Sequence, residues 1–89
     1  MITKELTVTN PKGIHVRPAG LLYKTAMNHE AQITLSKNGL HADCREIVMI
    51  LALGAQEGDH VTLTVEGPDE EEAAQRIEEI FSINFMDTD

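Results

Sequence analysis

The run Gly13-Ile14-His15-Val16-Arg17-Pro18-Ala19 places an imidazole, a guanidinium and two backbone-directing residues next to one another. Histidine is neutral in a large fraction of molecules near pH 7, so a ring nitrogen keeps the lone pair that attacks phosphorus. Arginine adds a planar fork that matches phosphate oxygens. Gly13 supplies a turn, and Pro18 fixes φ inside the first turn of a helix, where its missing N–H matters little. His15 is therefore predicted at the N-cap of a helix, with the backbone N–H groups of Val16 and Arg17 pointing out beside the ring. Helix starts of this kind bind anions. Phosphoryl transfer needs mainly positioning and charge stabilisation, and both are on offer here. Nδ1, taken as the nitrogen facing the helix end, is expected to carry the phosphoryl group. A lone histidine at a helix start is ordinarily only a cap; Gly13, Arg17 and Pro18 around it turn the reading towards chemistry.

The remaining histidines read differently. His29 falls in a loop, and His41 and His60 fall on strands opposite the apolar set. His41, Asp43 and Cys44 suggest metal ligands by type, but strand alternation sends Asp43 and Cys44 to opposite faces. Cys44 reads as a small buried hydrophobe, and no metal or cofactor is expected.

The elements that must position His15 are written in the changing period of the apolar residues. Ile2, Leu6 and Val8 share one face of a strand that Pro11-Lys12-Gly13 breaks. From Val16 to about Asn28, Ala19, Leu22, Tyr23 and Ala26 form one helical stripe. Ala31, Ile33 and Leu35 alternate, Asn38-Gly39 signals a type I′ hairpin, and Leu40, Ala42 and Cys44 return. Glu46 to Leu53 reads as a short helix closed by Gly54, and Val61, Leu63 and Val65 as a fourth strand. Asp69 is the expected N-cap of a last helix, with Glu72 at the capping-box position and Ala73, Ile77, Ile80 and Phe81 as its buried stripe. The order β-α-β-β-α-β-α predicts a two-layer α+β sandwich, its sheet antiparallel or mixed, helices on one side and water on the other. Residues 1–89 read as one domain, with an ordered core over 1–82 and a frayed tail over 83–89.

Composition narrows the function. The 89 residues are 42% hydrophobic and 25% charged, which is ordinary for a globular domain. No apolar run is long enough to span a membrane, the N-terminus has no signal-like apolar core, and the single cysteine excludes an internal disulfide. A soluble, cytoplasmic monomer is expected. The net charge of −8 arises entirely after residue 65, where nine acids face Arg76 alone. Lys12, Arg17 and Lys24 form a cationic spot without an acid between them. That is too little for a nucleic-acid surface, but enough for one phosphate or an acidic partner.

A docking face is also legible. Arg17, Gly20, Leu21 and Lys24 share a stripe opposite the buried one, which leaves Leu21 an exposed leucine near His15. The short second helix is apolar nearly all round. With Ile50 and Leu53 inward, Ile47, Val48, Leu51 and Ala52 are expected to face out as a partner site.

The chain from Met1 to about Phe81 resembles the histidine-containing phosphocarrier (HPr) family of the bacterial phosphotransferase system. The motif at 13–19 carries the resemblance, with support from Asn38-Gly39, Leu53-Gly54, Glu57-Gly58 and Glu66-Gly67. The resemblance implies an open-faced β-sandwich: a four-stranded antiparallel sheet covered on one face by three helices. It implies that His15 takes phosphate from phosphorylated enzyme I, with Arg17 stabilising it, and donates it to a histidine of a IIA component. It also implies that the first two helices form the partner surface, and that the protein is a stoichiometric carrier, not a free-standing catalyst. Many members carry a regulatory serine where this chain has Glu46, so a kinase switch at that position is not expected; the carboxylate either resembles a permanent phosphate or simply favours the helix end. Met27 and Met49 replace lysines frequent in sugar-type members, and the acidic 68–72 segment adds to a lean towards the nitrogen-related branch; the branch stays open. The competing reading is a small regulatory ligand-binding module of ferredoxin-like topology, which has no need of His-x-Arg-Pro at a helix start. A small metal chaperone is a third, disfavoured by the absence of Cys-x-x-Cys.

Overall fold

The computed structural model describes residues 1–82. Strands β1 (Ile2–Thr7), β2 (Gln32–Lys37), β3 (Leu40–Asp43) and β4 (His60–Glu66) alternate with helices α1 (Val16–Met27), α2 (Ile47–Ala52) and α3 (Glu70–Ser82). The strands form a single four-stranded sheet in the order β1-β4-β2-β3. All three pairings are antiparallel, in register Ile2 with Val65, Ile33 with Val65, and Leu35 with Ala42. The fold is thus the open-faced sandwich of an antiparallel sheet and three helices, and of the two expectations for the sheet the mixed one does not hold.

Burial follows the alternation that the sequence carries. Ile33 and Leu35 of β2 and Val61, Leu63 and Val65 of β4 are buried beneath Leu22 of α1, Ile50 of α2 and Ile77 and Ile80 of α3. β2 and β4 are the interior strands, so their apolar faces are fully covered. β1 lies at the edge: Ile2 and Leu6 are only partly buried, and Lys4 on the same face reaches Glu78 of α3 at 2.9 Å. Asn38 and Gly39 both have positive φ, 52° and 84°, as a type I′ turn requires, and they set Lys37 opposite Leu40.

The helix ends fall close to expectation, and the start of α3 departs from it in one respect. α1 ends at Met27 with Asn28 as its cap, in keeping with an end near Asn28, and α2 is one residue shorter at each end because Glu46 and Leu53 are its caps. Asp69 stands where an N-cap should, its carbonyl accepting the Ala73 N–H at 3.0 Å. Its carboxylate, however, leaves the helix and accepts from the N–H groups of Glu30 (3.0 Å) and Ala31 (2.8 Å). The expected capping box is replaced by a tie between the start of α3 and the start of β2. The expectation of a frayed tail over 83–89 lies outside the described residues.

Candidate functional site

His15 enters α1 from extended backbone, φ −94° and ψ −163°, and its carbonyl accepts the Ala19 N–H at 3.0 Å, so it occupies the N-cap position. Packing just upstream brings the chain there. Gly13 has φ +68°, and a Cβ on it would run into the carbonyl oxygen of Ala55. The N–H of Ile14 donates to that same oxygen at 3.0 Å, and the Ile14 side chain is 5% exposed. The peptide before His15 is therefore held against the loop that follows α2, and the imidazole is left at the surface edge, half-buried.

The ring itself sets His15 apart. Nδ1 of His29 meets the Thr25 carbonyl at 2.8 Å, Nδ1 of His41 meets Ser36 Oγ at 2.8 Å, and Nδ1 of His60 meets Thr7 Oγ1 at 3.0 Å. The His15 side chain makes no capping hydrogen bond, and its ring has no hydrogen-bond partner among the described residues. Both ring nitrogens are thus available to something that is not this chain. Beside it, the Val16 N–H has no acceptor among the described residues, and the first intrahelical bond begins at Ala19. Arg17 is the second helical residue and its side chain is exposed. No acidic residue lies in the first turn of α1. A positive helix end and an unengaged imidazole meet at one mouth, with Arg17 two residues along the chain, which suits an anion.

The residues expected to meet partners divide into two groups. Arg17, Gly20, Leu21 and Lys24 line a surface groove of about 880 Å³ whose other wall is α3, through Glu72 and Glu79. Leu21 is half-buried there instead of exposed, because α3 packs along that side of α1. On α2, Val48 is 78% exposed and Ala52 is also exposed, as expected. Ile47 and Leu51 differ: both are partly buried against the core. A six-residue helix lying low on the sheet can tuck in the residues flanking Ile50 as well as Ile50 itself. Met49, which the outward set did not include, is 41% exposed. Glu46 is exposed at the start of α2 and makes no side-chain cap.

Among the described residues, no three His, Cys, Asp or Glu side chains converge as metal ligands. Cys44 points into the core, and burial, aided by the neighbouring Asp43 charge, pushes its thiol up to about 12. Sequence reasoning passed over Ala55, whose carbonyl holds the segment before His15, and the Lys37–Asp59 pair on the same loop. An alanine carbonyl and a contact between distant loops leave no local pattern to find.

With this geometry in view, comparison with known proteins is informative. A family model described as the PTS HPr component phosphorylation site matches residues 2–82. The phosphocarrier protein HPr of Treponema pallidum is 34% identical over 96% of this chain and 97% of its own length. The crystal structure of HPr-C-His from Thermoanaerobacter tengcongensis superposes with a TM-score of 0.91 at 33% identity, covering 96% of each chain. A structure of an HPr dimer from the same organism gives 0.76 at 34% identity, over 90% of this chain and 92% of that one.

Proposed function

Because the chain belongs to the HPr family of phosphotransferase-system phosphocarriers, we propose that His15 is the residue on which it carries the phosphoryl group. The observation that carries this reading is the imidazole at the N-cap of α1, the one ring of the four histidines with no hydrogen-bond partner among the described residues. The donor is phosphorylated enzyme I and the acceptor a histidine of a IIA component. The protein works in the cytoplasm as a stoichiometric intermediate.

The chemistry follows from the site. The lone pair of a neutral His15 nitrogen, assigned to Nδ1, attacks phosphorus while the donor's bond to phosphorus breaks. On transfer to the IIA histidine one N–P bond replaces another, so that exchange is close to balanced in free energy and runs in either direction. Charge on the phosphoryl oxygens is met by the helix-start amides of Val16 and Arg17, set by the backbone of α1, and by the exposed Arg17 guanidinium. The half-exposed position lets a second protein reach the ring from outside, which a carrier requires. Partners meet the chain around Arg17, Gly20, Leu21 and Lys24 of α1 and the outward residues Val48 and Ala52 of α2.

The sheet order weighs against the ligand-module reading. β1 sits at the edge beside β4, whereas a ferredoxin-like sheet keeps its first strand inside. The test is incubation with enzyme I and phosphoenolpyruvate, followed by mass measurement. An acid-labile gain of one phosphoryl group is expected; His15→Ala abolishes it and His41→Ala leaves it intact. A gain that survives His15→Ala overturns the assignment.

A further inference from the structure

Lys37 ends β2, far in sequence from His15, and its side chain is about one-fifth exposed. Its Nζ lies 3.3 Å from Asp59 Oδ2 and reaches the carbonyl oxygens of Leu53 and Gly54 at 3.5 and 3.4 Å. The same Asp59 oxygen accepts the Gln56 N–H at 2.8 Å, and the Asp59 N–H donates to the Gln56 carbonyl at 2.9 Å. One ammonium therefore joins the end of α2 to the far end of the 54–59 loop. That loop presents the Ala55 carbonyl on which Ile14 N–H hangs and against which Gly13 is packed. It is also laced to the end of β1, through Val8 N–H to Asp59 O and Gly58 N–H to Val8 O, both 2.8 Å.

We propose that Lys37 and Asp59 are positioning residues for phosphoryl transfer: their ion pair locks the 54–59 loop, and the loop fixes Ile14 and hence the His15 imidazole. The ion pair touches neither the ring nor the phosphate site. Its effect runs through the Ala55 carbonyl, whose position decides where the peptide before His15 lies. A small displacement of a nucleophile lowers the fraction of encounters that are productive without altering docking.

This inference rests on His15 being the phosphoryl site, and two measurements keep the readings apart. The first is phosphoryl transfer from enzyme I, resolved into kcat and KM, for wild type, Lys37→Met, Asp59→Asn, the double variant and Lys37→Arg. The second is amide hydrogen exchange at Ile14 in the unphosphorylated proteins. Lys37→Met and Asp59→Asn are each expected to lower kcat about fivefold with KM little changed, and to speed Ile14 exchange by a similar factor. The double variant is expected to lose no more than the worse single one, and Lys37→Arg to recover most of the rate. Unchanged Ile14 exchange in folded Lys37→Met, or a loss confined to KM, overturns the positioning role. A wild-type protein that takes no phosphate at His15 overturns the carrier reading instead, while Ile14 exchange still reports on the loop.

Discussion

The segment that leads into His15 is held by a backbone contact, Ile14 N–H to the Ala55 carbonyl, as well as by the buried Ile14 side chain. The left-handed φ of Gly13 and the closeness of the Ala55 carbonyl both forbid a Cβ at position 13. Gly13→Ala is accordingly expected to destabilise the fold by about 1–3 kcal/mol, and to slow phosphoryl transfer because Ile14 must shift from its acceptor. Gly20→Ala is the control: a Cβ there meets nothing within 4 Å, and it lies inside α1. That change should raise stability by roughly 0.5–1 kcal/mol, because alanine loses less conformational freedom in a helix. Thermal melts of both variants check the contrast; equal and small effects would show that the Gly13 contact can relax. The motif around His15 was legible from residue type because N-capping, anion binding and proline placement are local rules. The role of the carbonyl beneath it was not, since every residue carries a carbonyl.

At the scale of elements, local periods wrote the helices and strands, and long-range contacts decided how their ends are joined. The Asn38-Gly39 hairpin follows from two adjacent residues and is formed as its sequence requires. Asp69 shows the opposite case. By local rules it caps its own helix; in the fold two N–H groups nearly forty residues upstream compete for its oxygens and take them. Partial desolvation pushes the Asp69 carboxyl up, but the Glu30 and Ala31 N–H groups outweigh it and hold it below the ordinary value of 3.8. Asp59 is lowered as well, chiefly by the Gln56 N–H. A folded-state value below the unfolded one means that the carboxylate stabilises the fold at pH above about 4 and stops doing so as pH falls through the folded value. Tm is therefore expected to be flat above pH 5 and to drop below pH 4. In Asp69→Asn it should be lower by several degrees at neutral pH and show a shallower acid slope. An acid slope identical to that of wild type would mean that the tie between α3 and β2 contributes nothing to pH dependence.

Across the whole molecule, charge is separated along the chain and then brought back together by the fold. α3 opens with Glu70, Glu71 and Glu72, and its Glu72 and Glu79 stand across the groove from Arg17 and Lys24. Glu79 is itself paired at 3.4 Å with Arg76, which lines the same groove, so it is Glu72 that partly offsets the cations of α1, and a molecule of net charge −8 repels an acidic partner at long range. Met27 and Met49 are both exposed, at 54% and 41%, on the two helices proposed to meet partners. Lysine at either position fits without disturbing the core. The double variant Met27→Lys, Met49→Lys changes the net charge from −8 to −6 and places one new charge on each of these two helices. Transfer to an acidic IIA acceptor should then speed up about tenfold at low ionic strength, through the association step. The gain should shrink as added salt brings the screening length down to about 8 Å near physiological ionic strength. Stopped-flow transfer rates across a salt series provide the measurement. A gain independent of salt would point to new contacts in the complex; no gain at all would place the docking face away from Met27 and Met49.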